Sequence, residues 1–132
     1  MRRQYKSTVL SMILLSSVWL INGAHANAIE EMSLEAKTHA SDIVVMARVE
    51  STVVKCARKS SCANLHVLHW LKGERKDKDV VVLFNGDLAE DNPLCCEAGK
   101  SYLLFLRYVG EGYYVSVNGM YGAYSTDGSN AW

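Results

Sequence analysis

The most prominent pattern in the chain is a pair of apolar runs in its carboxyl-terminal third. Residues 102–109 are apolar on both alternating sets of positions, with Arg107 as the only charge, and residues 113–117 form a second run. A short connection containing Gly110 and Gly112 joins them, which predicts a β-hairpin. A strand that is apolar on both sides is normally covered on both faces, so we expect the first run to be the central strand.

Three further apolar runs precede this hairpin. Residues 43–54 are rich in β-branched residues, residues 64–71 alternate apolar and polar positions, and residues 80–84 are wholly apolar. Each run predicts a strand. The first two are separated by the polar segment 55–63, which predicts a hairpin with a long tip. Residues 118–128 alternate small and aromatic residues and predict an irregular closing strand.

A short amphipathic helix is predicted ahead of the first strand. Residues 27–39 place Ile29, Met32 and Ala36 on one side at helical spacing, with mainly acidic residues elsewhere, and Asn27 is a candidate N-cap. No other helix is predicted, and five short strands follow. The fold class is therefore mainly β, a small five-stranded barrel or sandwich in one domain.

The amino-terminal end has the pattern of a secretory signal peptide. Basic residues precede an apolar run at 8–21, and small-residue cleavage sites follow at 24–26 and 26–28. A membrane anchor is the alternative, but the run is shorter than the about 20 residues that a spanning helix needs. We therefore expect cleavage that removes residues 1–26, or 1–28. The product would be periplasmic or secreted, without stable membrane insertion.

Cleavage of the signal peptide would change the net charge. The whole chain has 14 basic and 14 acidic residues. Residues 1–26 contain three of the basic residues and none of the acidic ones, which leaves 11 against 14 and a net charge of −3 for residues 27–132. A mildly acidic protein lacks the positive charge that neutralises phosphates, so we expect no nucleic-acid partner.

The cysteines are the most informative polar residues. All four, Cys56, Cys62, Cys95 and Cys96, lie after the expected cleavage site. In an oxidising compartment an even number of cysteines in a small domain predicts disulfides, and three connectivities are open. Their spacings do not match the usual zinc motifs, so we expect neither a metal nor another cofactor.

Two histidines on the second predicted strand are candidate catalytic or metal-binding residues. Alternation along residues 64–71 directs Leu65 and Leu71 to the core. His66 and His69 are three positions apart, so their side chains leave opposite faces unless a bulge intervenes. No nucleophile motif accompanies either residue, and we expect no catalytic residue.

Tyrosines are frequent in the carboxyl-terminal part. Six of them could form a surface on which a sugar or peptide stacks, although packing inside a barrel accounts for most aromatic residues of this kind. They are Tyr102, Tyr108, Tyr113, Tyr114, Tyr121 and Tyr124.

Three segments, residues 42–49, 67–73 and 96–106, together show a family resemblance. Their pattern resembles small secreted proteins related to the tissue inhibitors of metalloproteinases and netrin-type modules, over roughly residues 41–124. The resemblance implies an oligonucleotide/oligosaccharide-binding (OB) type barrel of five strands. Function does not follow from the fold alone.

The resemblance also implies a disulfide pairing. In an OB-type barrel strand one lies antiparallel beside strand four, which would bring Cys56, at the end of strand one, near the start of strand four. Two bridges would then join Cys56 and Cys62 to Cys95 and Cys96, each worth about 3 kcal/mol. The competing pairing, Cys56–Cys62 with Cys95–Cys96, requires a bridge between sequence neighbours.

The function implied by the resemblance is only partly matched. In the metalloproteinase inhibitors an amino-terminal cysteine chelates the protease's zinc, whereas the candidate first residues here, Asn27 and Ile29, supply no thiol. We therefore expect an exported, non-catalytic binding module with an envelope or secreted protein as partner, and a protease inhibitor is its sharpest form. The alternatives are a small periplasmic hydrolase and a structural envelope protein.

Overall fold

The computed structural model describes residues 29–127. The expected signal peptide, residues 1–26 or 1–28, lies outside them. The described residues form one α-helix, six strands and two 3-10 turns. The elements are α1 (Leu34–Ala40), β1 (Ile43–Ala57), β2 (Ser60–Lys72), β3 (Asp79–Phe84), η1 (Ala89–Asp91), β4 (Ser101–Gly110), β5 (Tyr113–Ser116), η2 (Gly119–Gly122) and β6 (Ala123–Ser125).

The six strands belong to one sheet with the order β1-β2-β3-β5-β4-β6, and β1 also pairs with β4. Strands β1 to β5 therefore form a ring. All pairings are antiparallel except β3–β5, which is parallel and consists of only two residue pairs, Val81 with Tyr113 and Val82 with Tyr114. This confirms the predicted mainly β fold with a short amino-terminal helix and five main strands, although the ring of strands does not form a clear barrel. Among the pairings that form the ring, β3–β5 has the fewest paired residues.

Strand β4 is the central strand, as its double-sided apolar pattern predicts. It pairs with β1, β5 and β6. On its inner face Leu104 and Leu106 are fully buried in the main core, which also contains Val45 of β1. On its outer face Phe105 packs in a second cluster with Val44, and α1 and the residues before it lie on this side.

The helix is shorter than its sequence pattern predicts. It begins at Leu34, because the side chain of Ser33 accepts a hydrogen bond from the amide of Ala36 at 3.1 Å and so caps it. The prediction of a helix over residues 27–39 was wrong in its start, and the predicted cap, Asn27, lies outside the described residues. The side-chain cap and the extended backbone of Ser33 fix the first residue of the helix, although the apolar periodicity extends further towards the amino terminus.

Two long-range contacts fasten the segment that contains the helix to the sheet. The side-chain amide of Asn118 accepts a hydrogen bond from the amide of Met32 at 2.7 Å and donates one to the carbonyl of Glu30 at 2.9 Å. At the other end, Lys72 donates to three backbone carbonyls after and within the last turn of α1, at 2.5–3.3 Å. These bonds satisfy carbonyls that a helix end leaves free.

The β1–β2 hairpin is confirmed, but its predicted long tip is not. Instead of a polar loop over residues 55–63, β1 continues to Ala57 and β2 begins at Ser60. Only Arg58 and Lys59 separate the strands, and both have positive φ, 47° and 59°. Two positive φ angles are what a type I′ turn requires, and this turn matches the twist of the paired strands.

Candidate functional site

The two halves of β1 differ in how they are paired. Residues 43–48 pair with β4 on one side and β2 on the other. Val49 makes the last bonds on the β4 side, to backbone groups of Lys100 and Gly99 at 2.9 and 2.8 Å. Beyond it, residues 50–57 pair with β2, and no strand in the described part of the chain pairs with their other side. We call residues 50–57 the free edge.

The side chains of the free edge are exposed to solvent. Residues 50–56 are all exposed, and the two apolar ones, Val53 and Val54, are 49% and 76% exposed. Lys55 has a positive φ of 50°, and the register with β2 shifts between Val53 and Ala57, so this stretch bends. An exposed edge with apolar side chains is the kind of strand to which another chain can add.

The tip of the hairpin is tied to its neighbours by charged groups. Arg58 donates to the carbonyl of Val109 at 3.0 Å, and its guanidinium lies 3.8 Å from the carboxylate of Glu111 in the β4–β5 turn. Lys59 lies 3.8 Å from the carboxylate of Asp87. Exposed pairs of this kind each stabilise a protein by about 1 kcal/mol or less. Their main effect is to position the turn.

The disulfides connect Cys56 with Cys62 and Cys95 with Cys96, so the predicted pairing between the two loops was wrong. The reason is the length of β1. Cys56 lies eight residues beyond Arg48, the last β1 residue in register with β4, which is about 26 Å along a strand. It is therefore remote from the start of β4, whereas the Cα atom of Cys62 lies 5.8 Å away across the hairpin.

A cavity of about 560 Å³ lies beside the second disulfide. Cys95 is partly exposed at its wall, and Cys96 is buried. The cavity lies between the end of β3, the η1 segment and the start of β4. Most of the other side chains around it are apolar, and they include Phe84, Ala89, Pro93, Leu94, Tyr102 and Met120. The cavity is wide open to solvent, so a small molecule can reach the bridge from this side.

The histidines share one face, so the prediction of opposite faces was wrong. His66 pairs with Arg48 and His69 with Met46, and these β1 residues are two positions apart. A bulge adds one residue to β2 between these pairs, which reverses the alternation of the strand and brings both side chains to the same face. His66 Nδ1 lies 3.4 Å from the carboxylate of Asp79. Within residues 29–127 no group of three or more His, Cys, Asp or Glu side chains could hold a metal ion.

The tyrosines do not form one continuous platform. Tyr102 and Tyr114 are buried in the core. Tyr108 is exposed and lies against Tyr114 with 5.3 Å between ring centroids, and the guanidinium of Arg75 lies 5.5 and 5.2 Å from the two rings. The Tyr114 hydroxyl has no hydrogen-bond partner among the described residues, and burial raises its pKa. Arg75, Tyr108 and Tyr114 thus form a small cation–π cluster.

The sequence pattern missed a fully buried lysine, Lys37 of α1. Its ammonium donates to the carbonyl of Tyr121 at 2.9 Å, to the carboxylate of Glu31 at 3.2 Å and to the hydroxyl of Tyr124. It also lies 5.6 Å from the ring centroid of Phe105. Hydrogen bonds from Tyr124 and from Lys37 lower the pKa of the Glu31 carboxyl.

This lysine fastens the helix to the sheet. A buried ammonium is tolerated only when it is paired and hydrogen-bonded, and here several groups from three segments surround it. The helical pattern placed Lys37 on the polar side, yet it is buried and Leu34 is exposed. The signal that could have revealed it is the position of aromatic residues near the carboxyl end, but their contact with the helix is not local in sequence.

The described part of the chain contains no helix that is long and apolar enough to cross a membrane. No protein-family model matches the chain, and no curated protein matches it either. The similarity to metalloproteinase inhibitors and netrin-type modules therefore stays a prediction, and the functional assignment rests on the geometry of residues 29–127.

Proposed function

We propose that the protein is an exported, non-catalytic binding module that takes an extended segment of an envelope or secreted protein as an added strand along the free edge. The observation that carries the proposal is the one-sided pairing of residues 50–57. Every second residue of a strand directs its amide and carbonyl to the same side. Up to the bend at Lys55, the free edge therefore offers two or three residues whose backbone groups can pair with a partner.

The free edge is held in a shape that suits this role. On its paired side β2 is itself paired with β3 through residues 61–66, so the edge belongs to a three-stranded layer. The Cys56–Cys62 bridge closes the hairpin near its tip. A strand that is already ordered loses little conformational entropy when a partner binds, and preorganisation of this kind raises affinity.

Side chains add selectivity to backbone pairing. Val53 and Val54 are adjacent, so they leave opposite faces of the strand and can each contact a different face of the added segment. Arg58 and Lys59 already lie beside the carboxylates of Glu111 and Asp87, so Lys55 is the residue that adds positive charge to the free edge. Its charge favours a partner with an acidic residue beside its extended segment. A protease-inhibitor form of this function places a secreted protease in the role of partner.

The test compares capture of partners from the envelope fraction of the exporting cells by three proteins. They are the wild type, the variant Val53→Asp/Val54→Asp, and a matched control, Leu34→Asp, which changes an exposed apolar residue on α1. We expect the wild type and the control to capture the same protein and the edge variant to lose it. Hydrogen exchange of the purified complex should then show slower exchange at residues 50–57.

Several results would contradict the proposal. One is that the edge variant captures the same partner as the wild type. Another is that hydrogen exchange slows only at a surface other than residues 50–57. A third is that none of the three proteins captures a partner, even with cross-linking. Turnover of a substrate by the purified wild type, lost in His66→Ala or His69→Ala with an unchanged circular dichroism spectrum, would favour the hydrolase alternative. Circular dichroism of the edge variant verifies that it is folded.

A further inference from the structure

The disulfide between Cys95 and Cys96 has a different setting from the hairpin disulfide. It joins adjacent residues, in a segment between η1 and β4 that contains no strand. In the loop-entropy account, the stabilisation by a disulfide grows with the number of residues that it encloses. This bridge encloses no residues, so it should add little to the stability of the fold, which points to another role.

The segment around the bridge is positioned by other contacts. The side chain of Asn92 accepts from the amide of Gly86 at 2.8 Å and donates to its carbonyl at 3.1 Å. The amide of Glu97 donates to the Tyr102 hydroxyl at 3.1 Å. Contacts therefore hold the chain on both sides of the two cysteines. We expect the segment to keep its place when the bridge is open.

The bridge can also be reached from solvent. Cys95 is only partly buried and lies on the wall of the cavity of about 560 Å³. Thiol–disulfide exchange requires an attacking thiolate to reach a sulfur atom, and accessible bridges are the ones that exchange. The apolar side chains of Pro93, Leu94 and Met120 surround this approach and suit the carbon skeleton of a small molecule.

We propose that Cys95 and Cys96 form a thiol–disulfide exchange site whose substrates are small dithiols entering the cavity. The site is independent of the free edge. One thiolate of the dithiol attacks Sγ of Cys95, the bond to Cys96 breaks, and the Cys96 sulfur leaves with the electron pair and takes a proton from water. In the mixed disulfide between the dithiol and Cys95, the second thiolate of the dithiol then attacks the sulfur atom that the dithiol contributed.

The second attack completes a two-electron exchange. The dithiol becomes a cyclic disulfide, and Cys95 leaves as a thiolate that is protonated in turn. The protein then holds two thiols on adjacent residues beside the cavity. Reaction with an oxidised dithiol reverses both steps and restores the bridge. Because adjacent thiols can bind one arsenic atom together, a phenyl arsenoxide serves as a probe of the reduced pair.

The test uses the full exported chain and two variants. Cys56→Ser/Cys62→Ser keeps only the proposed site, and the matched control, Cys95→Ser/Cys96→Ser, keeps only the hairpin bridge. Each is treated with increasing dithiothreitol without denaturant, alkylated and weighed by mass spectrometry. We expect two alkylations at Cys95 and Cys96 while the circular dichroism spectrum is unchanged. A second sample that is reduced, freed of dithiothreitol and not alkylated should bind one arsenoxide per molecule. The control should bind none at dithiothreitol concentrations that leave its hairpin bridge closed.

Two results would overturn the proposal. One is a Cys95–Cys96 bridge that stays closed until denaturant unfolds the protein. The other is a reduced pair that binds no arsenoxide in the folded state. If Cys56→Ser/Cys62→Ser does not fold, differential alkylation and peptide mapping of the wild type measure the opening of each bridge separately, so the proposal is still decided.

Discussion

Removal of the hairpin disulfide by Cys56→Ser/Cys62→Ser should lower the free energy of unfolding by about 2 kcal/mol. The two residues are six positions apart, so the bridge closes a loop of seven residues. For a closed loop of this length the chain-entropy relation gives about 2.4 kcal/mol at 25 °C. A bridge from Cys56 to Cys95 would instead close about 40 residues and give about 3.9 kcal/mol. The size of the loss therefore distinguishes local pairing from pairing between the two loops.

The measurement is urea unfolding followed by circular dichroism, with the wild type and the Cys95→Ser/Cys96→Ser variant alongside. We expect the second variant to lose less than about 1 kcal/mol, since its bridge encloses no residues. The hairpin variant should also melt about 10 °C lower. Equal losses of more than about 4 kcal/mol in both variants, since each would then remove two bridges, would refute the local pairing and the reasoning from loop length. Peptides linking Cys56 to Cys95 or Cys96 would refute them as well.

Three other predictions concern side chains outside the disulfides. Lys37→Ala should lower the free energy of unfolding in urea by about 3 kcal/mol. Lys37→Met should lower it by only about 1 kcal/mol, because Met keeps the buried aliphatic part of the side chain, and equal losses would contradict this reasoning. Gly119→Ala should lower the free energy of unfolding by more than about 2 kcal/mol, because the added Cβ would collide with the carbonyl oxygen of Glu90. Gly112→Ala is the control: Gly112 also has a positive φ but has open space around it, so this change should cost about 1 kcal/mol. The pKa of Glu31 is lower in the folded protein than in the unfolded chain, so its ionisation stabilises the fold above the unfolded-state pKa, about 4, and this stabilisation is lost as the pH falls through the folded-state pKa. Glu31→Gln should therefore reduce the loss of stability in acid, as measured by urea unfolding at several pH values.

The difference between local pattern and long-range pairing is clearest in β2. Alternation along residues 64–71 directs Leu71 to the core, but Leu71 is 59% exposed and Trp70 packs against the core instead. The bulge that reverses the parity is defined by pairing with β1, and nothing in the β2 sequence marks its position. The same bulge places His66 and His69 on one face. A one-residue shift in one strand therefore changed two predictions at once.

Side-chain periodicity and composition were enough to predict the features that a local pattern controls. Burial of apolar residues favours the same local pattern in any context, and for this reason the five main strands, the central position of β4 and the mainly β fold could be read from the chain. The helix could be predicted, but its start could not, because periodicity continues beyond the Ser33 cap. Strand ends and caps depend on single hydrogen bonds that leave little trace in an apolar pattern.

Contacts between groups that are distant in the chain could not be predicted from local patterns. The disulfide partners follow from how far β1 extends past the start of β4, and the burial of Lys37 follows from Tyr121 and Tyr124, more than 80 positions away in the chain. The free edge likewise exists because β4 pairs with only the first half of β1. Each of these is a property of the register between strands. Register depends on the packing of all the strands together, and no single segment of the sequence specifies it.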